Sequence, residues 1–141
     1  MKTMQIRYRP SFLLVSVVLT ALSCGPTSNE EIFVYQELAE ITAFSVPDSA
    51  SAASIPVTIS AILGKTTASS LEAIVWERTD SLFQFAIYAK RLDKFGEQYQ
   101  TKDITLDTTL TLTTNPPRFG LHFFRIVSST GIALLDSTRL Y

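Results

Sequence analysis

From Ile55 onward the chain alternates apolar and polar residues with a period of two, and this period limits the possible folds more than any other feature. Ile55, Val57, Ile59, Ala61 and Leu63 share one face, with Pro56, Thr58 and Ser60 on the other, until Gly64 ends the run. A β-strand sends successive side chains to opposite faces, so such alternation builds a half-buried sheet and does not fit a helix. Pro56 has no N–H for a ladder bond and belongs near the strand's start or at an edge. The pattern returns where Ile104, Leu106, Thr108, Leu110 and Leu112 alternate with Asp103, Thr105, Asp107, Thr109 and Thr111, and Asn115-Pro116-Pro117 closes it.

Between and after these runs the same reading continues. Leu71 to Arg78 and Leu82 to Arg91 flank Thr79-Asp80-Ser81. A three-residue loop there predicts a hairpin pairing Val75 with Phe85, Ala73 with Ile87 and Leu71 with Ala89 on one apolar face. Leu121 to Ser128 is apolar on both faces, as a central strand would be, and Ser129-Thr130-Gly131 turns it into Ile132 to Leu140. Ile41 to Val46 reads as a first strand stopped by Pro47, and Asp48 to Ser54 as a loop. The polar stretch Asp93 to Lys102 reads as a surface connection. Glu31 to Glu40 stays open: Ile32, Tyr35, Leu38 and Ala39 have helical spacing, while Phe33-Val34-Tyr35 favours a strand. About seven short strands without a long helix make the expected fold an all-β sandwich or barrel.

The N-terminal residues differ in chemistry. Lys2, Arg7 and Arg9 give a basic start without an acid, followed by the apolar run Phe12 to Leu22. That run is about half of the roughly 20 residues needed to span a hydrocarbon core. The layout is that of a secretory signal and not of an anchor helix.

Cys24 is the only cysteine in the chain and lies where the signal is expected to be cut. Small residues at Ala21 and Ser23 suit ordinary signal cleavage. Ala21-Leu22-Ser23-Cys24 also resembles the lipobox of bacterial lipoproteins, with Gly25-Pro26-Thr27-Ser28-Asn29 as a flexible tether. Leu22 stands one place nearer the cysteine than in the strict pattern, with Ala21 in its stead. The resemblance implies thioether lipidation of Cys24, which gives the odd cysteine a purpose and leaves the rest of the chain without a thiol. The expected organisation is a cleaved signal peptide over 1–23, lipidated Cys24 and tether over 24–40, and one domain over 41–141. The expected address is a bacterial cell envelope, at the outer membrane. Cleavage removes three of the twelve basic residues and none of the thirteen acids, so the mature domain is acidic. That balance argues against nucleic acid as a partner.

Val75-Trp76-Glu77-Arg78 resembles the tryptophan-bearing third strand of immunoglobulin-like domains, and Gly120-Leu121-His122-Phe123-Phe124-Arg125-Ile126 resembles their sixth. His122 stands in place of the tyrosine and Phe124 in place of the second cysteine. The opening Ile55-Pro56-Val57-Thr58-Ile59 and the later Ile104-Thr105-Leu106 are similar to small immunoglobulin-like modules of bacterial lipoproteins. The resemblance implies an antiparallel β-sandwich of about seven strands with Trp76 in its core. The hairpin register points the other way, setting Trp76 outward with Ile74 and Tyr88 as a patch for a sugar ring or a partner surface.

Residues able to carry chemistry are sparse. His122 is the sole histidine, which excludes the usual multi-histidine or cysteine zinc site, and it reads as a hydrogen-bonded core residue. No serine is framed by a Gly-x-Ser-x-Gly elbow. The carboxylates Asp80, Asp93, Asp103, Asp107 and Asp136 form no calcium loop and read as solvated surface. No phosphate-cradling glycine loop is present, and no cofactor is expected. The chain therefore reads as a non-enzymatic, membrane-anchored binding or structural module whose partners are the lipid bilayer, through acylated Cys24, and an envelope protein or glycan. A carrier enclosing a small apolar ligand in a closed barrel is the alternative, followed by a hydrolase. If Cys24 bears the anchor, metabolic labelling with an acyl analogue marks the natural chain and leaves Cys24→Ala unlabelled; label on the variant would exclude the assignment.

Overall fold

A computed structural model describes residues 4–6 and 31–141. The expected lipidation site Cys24, and the expected signal peptide and tether except for these described parts, lie outside it. The elements in order are β1 (Met4–Ile6), β2 (Ile32–Leu38), β3 (Glu40–Ser45), β4 (Ser49–Ala50), β5 (Ile55–Thr66), β6 (Ser69–Thr79), β7 (Leu82–Lys94), β8 (Thr101–Leu112), β9 (Gly120–Val127) and β10 (Ala133–Leu140). Among the described residues there is no helix. Glu31 to Glu40 is extended: β2 joins the sheet, antiparallel to the C-terminal half of β7.

The strands form two sheets. The larger runs β1-β2-β7-β9-β10-β4 with β6 on the other side of β7, and the smaller runs β3-β5-β8. Neither sheet closes on itself, which removes the closed barrel required by the carrier reading. β7 is the hub of the larger sheet. β6 pairs along most of one edge, while the other edge is shared by β2 over residues 88–94 and β9 over residues 82–86. The expectation of a purely antiparallel sandwich is corrected here. β7 runs parallel to β9, with Phe83 opposite Phe124 and Phe85 opposite Ile126, and β10 runs parallel to β4.

β7 is central because its inward residues Phe83, Phe85, Ile87 and Ala89 are all buried apolar groups. On β6 the residues paired with three of them are Arg78, Trp76 and Ile74, a set containing a cation that would be costly to bury unpaired. β6 accordingly takes the edge. From the smaller sheet β5 contributes Ile55, Val57, Ile59, Ala61 and Leu63, each at most 6% exposed, so the alternation of the first run does define the core face. β9 adds Phe124 and Ile126. Phe83 and Phe124 stack at a centroid distance of 4.8 Å and 6° between planes.

The hairpin register differs from its expectation by one residue over most of its length. Thr79 pairs with Leu82, so the loop is Asp80-Ser81, with Asp80 in the left-handed region at φ 49°. Aspartate tolerates that conformation, and a two-residue turn of this kind follows the twist of its strands. Val75 therefore faces Ala86, Trp76 faces Phe85 and Ile74 faces Ile87. A bulge between Leu71 and Ala73 absorbs one residue and restores the expected pair Leu71–Ala89.

Two corners depend on particular side chains. β5 continues past Gly64 to Thr66, with register irregularities on both sides of Gly64. A Cβ on Gly64 would overlap the Ser69 hydroxyl, so glycine allows the start of β6 to fold back closely on β5. Asp136, expected as solvated surface, is half-buried: its Oδ2 accepts the Val46 N–H at 2.8 Å and its Oδ1 the Ser137 N–H at 2.8 Å. This carboxylate ties the end of β3 to β10.

β8 has one strand neighbour, so Ile104, Leu106 and Leu110 are only partly buried while Leu112 is buried. Phe124→Ala should destabilise the domain by about 3–5 kcal/mol, as a fully buried aromatic does. Leu106→Ala should cost well under half of that, because solvent already reaches its site. Denaturant melts of the two variants check the ranking, and equal losses would contradict the half-open position of β8.

Candidate functional site

The patch expected from Ile74, Trp76 and Tyr88 divides between two faces. Ile74 and Trp76 pair with Ile87 and Phe85, residues of the core face, whereas Tyr88 pairs with Ala73 and Leu38 on the outer face. The one-residue shift of the hairpin causes the division, since a slip of one exchanges the faces of a strand. Trp76 is neither the buried tryptophan of the immunoglobulin resemblance nor the outward one of the expected register. It lies on the core side of an edge strand, 46% exposed, with its ring centroid 6.0 Å from that of Phe83. The Arg78 guanidinium stands 5.8 Å from the same Phe83 ring.

Opposite Trp76 lies β8. Where β6 and β8 face each other the sandwich is open, leaving a cleft of about 250 Å³ lined by Ile74, Trp76, Leu110, Thr111, Leu112 and Thr113. Both flanking strands have a neighbour on one side only: β6 pairs with β7, and β8 with β5. The cleft thus combines the apolar side chains Ile74, Trp76, Leu110 and Leu112 with two strand edges that carry unpaired backbone groups. From Ile104 to Thr114 the only charge is Asp107, with no lysine or proline. Long edges without such residues remain able to pair with another strand.

Sequence reasoning selected Ile74 and Trp76 but missed Leu110 to Thr113. Their alternation marked a half-buried strand, while its role as an edge depends on which strand pairs with β5. No local signal carries that information.

His122 is a core residue, 2% exposed, with Phe83 at a ring distance of 6.1 Å. Its Nδ1 lies 3.2 Å from the Gly120 carbonyl. A carbonyl only accepts, so this bond requires the proton on Nδ1. Among the described residues Nε2 has no partner, nor has the Thr138 hydroxyl, which belongs to the residue paired with His122 across the strands. A reacting group would have to enter the core to meet this imidazole.

Among the described residues no group of three or more His, Cys, Asp or Glu side chains is placed to hold a metal ion. No helix there is long and apolar enough to cross a membrane. Comparison with known proteins finds no matching family model, no matching curated protein and no matching solved structure.

Proposed function

We propose that the chain is a lipoprotein of the bacterial cell envelope, anchored through acylated Cys24, whose sandwich is a non-enzymatic binding module. In this reading the β6–β8 cleft receives an extended segment of a protein partner. The observation that carries the binding role is the juxtaposition of half-exposed Trp76 with the unpaired edges of β6 and β8. An added strand would gain main-chain hydrogen bonds along an edge while alternate side chains meet Trp76 and its apolar neighbours. The volume favours a polypeptide over a small ligand: about 250 Å³ holds one or two side chains and falls below the roughly 300–1,000 Å³ of ordinary ligand pockets. Burial of His122 against Phe83 favours a binding role over hydrolysis.

The sandwich is read as a variant of the immunoglobulin-like arrangement. That fold places its first, second, fourth and fifth strands in one sheet and its third, sixth and seventh in the other, so the three-stranded small sheet here lacks a counterpart of the fourth. The small sheet β3-β5-β8 and the run β7-β9-β10 support this reading by their order. The departure is the β6–β7 hairpin, in which the tryptophan-bearing strand takes the edge and β7 takes the third strand's place with reversed direction. That exchange opens the cleft beside Trp76.

For a test, a photocrosslinking residue is placed at Leu110, or at Thr58 on the outer face of β5 as a control, and the intact chain is irradiated in its native envelope. The reading predicts one discrete adduct from position 110, absent from position 58 and lost with Trp76→Ala. The crosslinked partner peptide should show alternating apolar residues. Trp76→Ala should itself destabilise the domain by only about 1–2 kcal/mol, since half of the ring is already in water. Adducts that form equally from both positions, or persist without Trp76, would contradict the cleft as the binding site.

A further inference from the structure

β9 is apolar on both faces, and the core needs only one of them. His122, Phe124, Ile126 and Ser128 point inward and are buried, whereas Leu121, Phe123 and Arg125 point outward and are exposed. Leu121 is 52% exposed, Phe123 48%, and Leu135 on neighbouring β10 is 71%. An antiparallel pair with one face in solvent ordinarily carries polar residues on that face. Two cations lie among these side chains: Arg125 pairs across the strands with Leu135, and Arg139 with Leu121. Neither arginine forms an ion pair among the described residues. An acid on the neighbouring part of this face, Glu77, accepts a hydrogen bond from Gln84 at 3.2 Å.

We propose that the outward face of β9 and β10 docks on an anionic membrane surface. Exposed phenylalanine and leucine enter the boundary between headgroups and acyl chains. The arginines keep their stems among the apolar groups and set their guanidinium groups against lipid phosphates. Charge selects this occupant. The whole chain carries a formal charge of −1, yet the outward residues of β9 and β10 include Arg125 and Arg139 and no acid, Glu77 lying beyond β7 on β6, and this local charge is complementary to an anionic leaflet. A second copy seated on the same patch would offer Arg125 and Arg139 no acid from the outward residues of its own β9 and β10. The proposal does not depend on acylation of Cys24, and its test removes that residue, so failure here leaves the anchor and the cleft untouched.

Cys24 is the only cysteine, so Cys24→Ser in the full chain provides a background for single labels. An environment-sensitive fluorophore is attached at Leu135→Cys, or at Thr109→Cys, an exposed site on the other sheet. The labelled chain is mixed with phosphatidylcholine vesicles bearing a lipid-borne quencher, with and without phosphatidylglycerol. The expected result is quenching at 135 and not at 109, dependent on phosphatidylglycerol. Arg125→Gln combined with Arg139→Gln should weaken it about tenfold or more, on the scale of two interfacial charges. These substitutions change exposed side chains, and an unchanged melting curve verifies the fold. Equal quenching at both sites, no quenching at 135, or quenching there without anionic lipid overturns the proposal. A probe at 135 that becomes shielded without vesicles as protein concentration rises would also overturn it, by assigning the face to a second copy.

Discussion

The stack of Phe83 on Phe124 holds β7 beside β9, and most of the architecture depends on that contact. The two rings lie 4.8 Å apart and 6° from parallel, and Phe85 extends the cluster toward Phe124 at 6.4 Å. Both Phe83 and Phe124 are wholly buried. Aromatic pairs of this kind contribute about 0.5–1.5 kcal/mol beyond the area that they remove from water. The parallel register places the rings opposite each other, so the phenylalanines of two strands distant in sequence form one layer of the core.

Once β7 occupies that position, β6 is confined to the rim. The turn after β5 is short, Gly64 lets Ser69 approach closely, and the hairpin then returns the chain through Asp80-Ser81 to β7. Trp76 is carried to the border of the core, half covered by Phe83 and half open. The small sheet ends at β8 on the same side. A single topological choice, the hairpin entering with β7 inward, thus produces both the packed centre and the open cleft. On the opposite surface of the larger sheet the same strand order leaves the outer side of β9 uncovered. Two distinct surfaces result, a cleft between strand edges beside Trp76 and an outer sheet face on which Leu121, Phe123 and Leu135 stand with Arg125 and Arg139.

Much of this fold was legible because strand alternation is a local property. The inward sets Ile55, Val57, Ile59, Ala61, Leu63 and Phe83, Phe85, Ile87, Ala89 follow from their period alone. Partner choice and direction were not legible. Antiparallel and parallel neighbours present the same alternation, so no residue of β7 or β9 announced their parallel pairing. The hairpin register failed by one residue because Thr79, which pairs with Leu82, was counted in a three-residue loop, and that error alone assembled a false patch from Ile74, Trp76 and Tyr88. One wall of the candidate cleft, Ile74 and Trp76, was visible as large apolar groups on a strand. The other wall, Leu110 to Thr113, was invisible because exposure at an edge depends on strands far away in sequence.

Both surfaces follow from one pairing: β7, and not the tryptophan-bearing β6, lies beside β9 and runs in the same direction. Cross-strand nuclear Overhauser contacts in the isotopically labelled chain test it most directly. The structure predicts contacts from Leu82 to Phe123, Gln84 to Arg125 and Ala86 to Val127, rising together along both strands. Contacts from β6 to β9 in opposing order, with Trp76 among them, would contradict the account.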